Sequence, residues 1–268
     1  FLEWPQLFDY CHRQEGDRVS YVLAEDEGSG QIFGVCGYIP CNSLPNPDIW
    51  VALWKVISSG IPTLGIDLLE YLREESGCRV FACCGITAKV KKIYRFLGYT
   101  TGTLQHYYRL ADRETYRIAQ VAEKRILPVQ SGPARLISIK NDRALAQRYR
   151  PDWFERTTPY KDLAYLQKRY FHHPGYQYRG WAIETSSGRA DGLLVGRVQE
   201  QNGGRALRLV DFIGPEALLP AVGGEIQAIL ERAAIGYVDF YQHDITPSAM
   251  EQAGFSLRTS ENTHILST

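Results

Sequence analysis

No run of about 18 apolar residues occurs in this 268-residue chain, so no helix is expected to span a membrane. Neither sign of charge is in excess: 30 Lys and Arg stand against 30 Asp and Glu, which removes the global basic footprint of a nucleic-acid or anionic-membrane binder. There is no CxxC and no Cys/His set at zinc spacing, so no metal is expected. The six cysteines (Cys11, Cys36, Cys41, Cys78, Cys83, Cys84) all fall in the first third, and the adjacent Cys83 and Cys84 point to opposite faces of an expected strand. They argue against a disulfide framework; Cys36, Cys83 and Cys84 read as small buried hydrophobes in a reducing compartment. His172-His173 before Pro174 reads as a turn. No signal peptide opens the chain, so the expected location is the cytoplasm. The first segment, FLEWPQLFDYCHRQ, reads as a helix already under way, and residues ahead of Phe1 are expected. The phosphate-loop signatures GxxxxGKS/T and GxGxxG are also missing.

What the chain does contain is organised around residues 49–99. The apolar runs 49–56 and 79–86, rich in Val, Ile, Trp and Phe, are too short for helices and read as buried strands. Between them, Ile66, Leu68, Leu69 and Leu72 mark the core-facing stripe of a helix over 66–76. Gly60, Pro62 and Gly65 remove side-chain bulk and fix backbone angles where that helix exposes unpaired amides, a turn suited to an anion. A second helix over 87–99 ends at Gly98.

Around this unit, 19–27 and 31–39 form a hairpin, 102–110 closes the sheet, and a polar stretch runs from Ala111 to Arg125. The second half repeats the plan. Gly34 and Gly192, Pro62 and Pro220, and Gly65 and Gly223 are each 158 positions apart, and Gly98 and Gly254 are 156 apart. Two copies of one α/β (α+β) fold are expected, residues 1–110 and 111–268, each a mixed, mostly antiparallel sheet flanked by helices. The first copy would lack its opening strand and helix. Met250 stands four residues before Gly254, where Tyr94 stands before Gly98, and a Met side chain has no proton to donate. The first copy is therefore the catalytic candidate and the second a degenerate one.

Strand, Gly-containing turn, helix, strand, and a helix ending Tyr94-x-x-Leu97-Gly98-Tyr99 resembles the GNAT superfamily of acyl-coenzyme A N-acyltransferases. The resemblance covers nearly the whole chain and implies acetyl-coenzyme A as co-substrate and a small-molecule amine as acceptor. It implies that Trp54, Lys55, Val56, Gly60, Ile61, Thr63, Leu64, Gly65 and Ile66 hold the coenzyme, and that Tyr94 protonates the departing thiolate. Gly60 and Thr63 depart from the family's Gln/Arg-x-x-Gly-x-Gly/Ala turn. Asp211 and His106 are the candidate bases, with a water relay as the alternative. Arg169-Tyr170-Phe171-His172-His173-Pro174 looks like a segment of bacterial enzymes that modify surface-polysaccharide sugars, which points to an amino-sugar acceptor. The alternatives are an amino-acid or peptide amine acceptor, as in other double-GNAT enzymes, and a non-catalytic GNAT-like binding protein.

Overall fold

The computed structural model describes residues 3–14, 16–58, 60–129, 132–154, 158–185, 188–259 and 263–265. Its first elements are α1 (Pro5–His12), β1 (Tyr21–Glu25), β2 (Ile32–Pro40), β3 (Asp48–Val56), α2 (Leu64–Ser76), β4 (Val80–Cys83) and α3 (Ala88–Phe96). There follow β5 (Gln105–Leu110), β6 (Ala119–Val121), β7 (Arg135–Ile139), α4 (Asp142–Ala146), a short 3-10 helix at Pro151–Phe154, and α5 (Leu163–Phe171). The chain continues through β8 (Tyr178–Glu184), β9 (Ala190–Gln201), β10 (Gly204–Ile213), α6 (Leu218–Ala221), α7 (Gly223–Arg232), β11 (Tyr237–Gln242), α8 (Pro247–Gln252), β12 (Ser256–Leu257) and β13 (Thr263–Ile265). These divide into two compact units: Phe1–Thr101 with Thr158–Gly175, and Gly102–Thr157 with Tyr176–Thr268.

In the first unit four strands lie in the order β1-β2-β3-β4, antiparallel except for the parallel β3–β4 pair. Leu68, Leu69 and Leu72 of α2 pack on Cys36, Ile49, Val51 and Tyr94, as the leucine stripe predicts. The helix expected to be under way at Phe1 instead begins at Pro5, whose missing N–H suits the first helical turn. Of the cysteines read as buried, Cys36 is, Cys83 is half-buried and Cys84 is exposed, because β4 ends at Cys83. All six cysteines are free.

The second unit holds a seven-stranded sheet, β12-β5-β11-β10-β9-β8-β7, and the small pair β13–β6. One face is covered by α6, α7 and α8 through Leu218, Leu219, Ile226, Leu230 and Met250, with Phe255 just after α8. Here the structure corrects an expectation: strand 102–110 does not close the first sheet. As β5 it pairs antiparallel with β11, from Tyr237 opposite Leu110 to Gln242 opposite Gln105, and on its other edge with β12. His106 therefore belongs to the second unit, and residues 158–175 of the second half, α5 included, belong to the first.

The register of one unit recurs in the other. The parallel pair β3–β4 runs from Asp48 opposite Val80 to Val51 opposite Cys83; β10–β11 runs from Ala206 opposite Tyr237 to Leu209 opposite Phe240. Each pairing stops one residue before a bulge, an unpaired extra residue at Ala52 in β3 and at Val210 in β10, again 158 positions apart. Both following helices close alike. Gly98 and Gly254 take left-handed φ of 84° and 85°, and the next amide, of Tyr99 or Phe255, donates to the carbonyl of Tyr94 or Met250 at 2.9 Å.

Candidate active site

The bulge at Ala52 decides the geometry of the first unit. Up to Val51, β3 is hydrogen-bonded to β4; beyond it β3 continues to Val56 beside β2, and the β4-facing edge of residues 52–56 has no strand partner among the described residues. At the apex where the two strands part, the Cys83 thiol donates to the Val51 carbonyl, 3.4 Å away.

Tyr94 of α3 faces this apex. The helix is set by Thr87, whose side chain accepts from the Val90 amide, and is ended by Gly98, so Tyr94 falls on its buried side. The ring is held edge-on by Trp54 at 6.2 Å and by Tyr99 at 5.3 Å. Only 5% of the residue is exposed, and among the described residues its hydroxyl has no oxygen or nitrogen partner, only the Cys83 thiol as a weak one. Burial, and next the neighbouring Cys83 thiol, push its pKa well above the ordinary tyrosine value, so it stays protonated at neutral pH. The thiols beside it are protonated too: burial raises Cys83, and drives Cys36 up to about 12. A buried, protonated hydroxyl held no more firmly than by a thiol, at the apex of a parted strand pair, is equipped to donate to a ligand group.

The residues expected to hold the coenzyme lie together in this unit. Trp54 donates from its indole Nε1 to the Gly65 carbonyl at 3.0 Å, tying the end of β3 to the first turn of α2. Lys55, Val56, Gly60, Ile61 and Thr63 are exposed along the connection, while Leu64, Gly65 and Ile66 open the helix half-buried. Gly60 adopts φ of 76°, where a side chain would be strained. The turn is less receptive to an anion than its glycines imply. The amides of Leu64 and Ile66 already donate to the carbonyls of Ile61 and Thr63. Thr63, the N-cap, does not cap with its side chain; its hydroxyl donates to Asp67 Oδ2 at 2.9 Å and holds a carboxylate in the first turn of α2. Asp67 was not singled out in the sequence, although an acid three residues into a helix is a common stabiliser that can be read there. Fit is thus good at the thiol end and weak at the diphosphate end.

The two candidate bases stand in the second unit. His106 shares a hydrogen bond of 3.0 Å between Nε2 and Asp239 Oδ2 and stacks on Tyr241 at 3.9 Å, while Arg208 grips both oxygens of Asp239. It is one member of a buried polar chain on the sheet. Asp211, just past the Val210 bulge, is buried. Among the described residues no group of three or more His, Cys, Asp or Glu side chains is placed to hold a metal, and no helix is long and apolar enough to cross a membrane.

No protein-family profile and no curated protein matches this sequence. Solved structures do. A conserved Enterococcus faecalis protein described as a probable N-acyltransferase aligns at TM-score 0.53 and 11% identity over 88% of this chain and 58% of its own. A GCN5-related N-acetyltransferase from Anabaena variabilis aligns at 0.54 and 10% identity over 98% of this chain and 68% of its own. A GCN5-related glucosamine N-acetyltransferase region of a fungal multi-domain beta-N-acetylglucosaminidase aligns at 0.50 and 10% identity, over 91% and 32%. This chain thus spans little more than half the length of the first of these, and at such identities the likeness is one of fold. The mixed sheets flanked by helices, the parted strand pair and these neighbours agree: the chain has the fold of the GCN5-related N-acetyltransferases.

Proposed function

We propose that this chain is an N-acyltransferase that moves an acetyl group from acetyl-coenzyme A to a small primary amine, with the chemistry in the first unit. The observation that carries the reading is the buried Tyr94 hydroxyl, beside the weakly accepting Cys83 thiol, at the apex where β3 parts from β4. Acetyl-coenzyme A supplies the acyl group as a thioester. The free edge of β3 past Ala52 presents main-chain donors for a carbonyl. The amine nitrogen bonds to the acyl carbon as the C–S bond breaks, and Tyr94 gives its proton to the leaving sulfur. The proton the nitrogen sheds passes through water and restores the Tyr94 hydroxyl. Cys36, Cys83 and Trp54 shield the hydroxyl from water and so keep it protonated. An amino sugar is the acceptor class to screen first, since one fold neighbour is described as a glucosamine N-acetyltransferase region. The recurrent register is read as two copies of one fold, of which the second has Met250 in place of the acid.

A second reading, a non-catalytic binding protein on the same fold, is favoured by one observation: Asp67 stands where a diphosphate would meet the start of α2. A thermal-shift titration with acetyl-coenzyme A separates the two. A ligand at 100 times its Kd adds about 2.7 kcal/mol of stability, and no shift at millimolar concentration refutes the enzyme reading.

A further inference from the structure

In the first unit the start of α2 and the end of α3 leave room at their glycines: a methyl at Gly98 would meet nothing within 4 Å, and the nearest atoms to one at Gly65, on the Trp54 indole and Val56, would lie in ordinary contact at 3.4 Å or more. The corresponding room in the second unit, at Gly223 at the start of α7 and Gly254 after α8, is filled. A methyl at Gly223 would lie 2.6 Å from one Val129 methyl, and a methyl at Gly254 would lie 2.6 Å from the other. Val129 is therefore wedged over both glycines. Three residues on, Gly132 is pressed against α6 so closely that any Cβ would fall 2.2 Å from the Ala221 carbonyl oxygen. Underneath, the buried Arg109 donates to the carbonyls of Gly223 and Ala253 at 2.8 and 3.1 Å and to Gln227 at 2.7 Å, pinning the two helix ends together.

We infer that Val129 and Gly132 are the built-in occupants of the second unit's ligand groove, which leaves one coenzyme site per chain, in the first unit. These two residues act as an intramolecular plug. It covers the turn that Pro220 and Gly223 share with Pro62 and Gly65, so the second unit keeps the fold while its groove is spent on packing. Only the identity of the ligand excluded rests on the function proposed above; the plug itself rests on the packing.

A double-mutant cycle read by thermal unfolding tests it without any ligand. Gly223→Ala drives a methyl into Val129 and should lower Tm by about 3 °C or more. In a Val129→Ala background both Val129 methyls are gone. The same substitution then meets nothing nearer than the Ala253 carbonyl at 3.3 Å, and the helix preference of Ala over Gly should leave Tm unchanged or raised. Gly65→Ala, the first-unit comparator, should be tolerated within about 1 °C. Equal falls for Gly223→Ala in both backgrounds would overturn the inference. Calorimetric titration with coenzyme A forms the second arm: one site in the wild type and none in Gly65→Glu support it, and two sites, or a site surviving Gly65→Glu, overturn it. Absence of any binding to the wild type would count against the acyltransferase reading alone, because the cycle still decides the plug.

Discussion

The Asp48 carboxylate accepts the backbone N–H of Tyr160, 112 positions away, at 2.6 Å. Asp48 is fully buried, opens β3, and also receives a two-pronged hydrogen bond from Arg79 at 2.9 and 2.7 Å. Around it, Asn42 donates to the Tyr160 carbonyl, the Ser43 amide and hydroxyl donate to Asp162, and the Asp162 amide donates to Cys41. Asp162 in turn caps α5 through the Tyr165 amide. One carboxylate thus binds a segment of the second half into the first unit. Asp48→Ala should destabilise the first unit by about 1–3 kcal/mol, since it leaves the part-buried Tyr160 amide without its acceptor, while the half-exposed Arg79 falls back on water. Chemical denaturation should show it.

Tyr94→Phe has opposite expected effects on rate and stability. Loss of the proton donor should lower kcat about 100-fold or more with coenzyme affinity unchanged. Among the described residues the hydroxyl is paired with no more than the weakly accepting Cys83 thiol, so removing it should leave Tm equal or higher. Steady-state kinetics beside a melting curve checks both signs, and an unaffected kcat would return Tyr94 to a packing role.

Asp67→Asn should tighten coenzyme A binding by about 2- to 5-fold, because it removes a negative charge from the end of α2 that a diphosphate would approach. The same change takes an acid away from the positive end of the helix, so Tm should fall slightly. Isothermal titration at low ionic strength is the measurement, and the gain should shrink in added salt.

His12 gives the first unit an acid-sensitive point. It is 1% exposed, its Nδ1 is 3.3 Å from the Tyr38 carbonyl, and it lies between the rings of Phe8 and Tyr21 with Lys168 nearby. Burial holds its pKa below the ordinary value of 6.5. The unfolded chain therefore takes up a proton before the folded one does. Stability from this residue is complete above pH 6.5 and is lost as the pH falls below it. Tm should decline from pH 6.5 to 5, less steeply in His12→Gln, and an unchanged slope in that variant would refute the assignment.

The local plan of this protein was legible in its sequence because it depends on near neighbours. Alternating apolar residues mark β1 and β2, a short apolar run marks β3, leucines at helical spacing mark α2, and a glycine four residues after Tyr94 marks the end of α3. The landmarks spaced 158 apart anticipate a register, and even a bulge, that recur at that spacing. Tertiary structure alone decided which sheet takes residues 105–110. The pattern of that strand says that both faces are buried, and an edge of hydrogen-bonding groups fits any open neighbour. The same holds for Asp67, whose carboxylate becomes an obstacle only once Thr63 fixes it at the turn, and for Val129, a plain apolar residue until two distant glycines leave room for it. Backbone pairing and close packing join residues more than a hundred positions apart, and no local pattern encodes such partners.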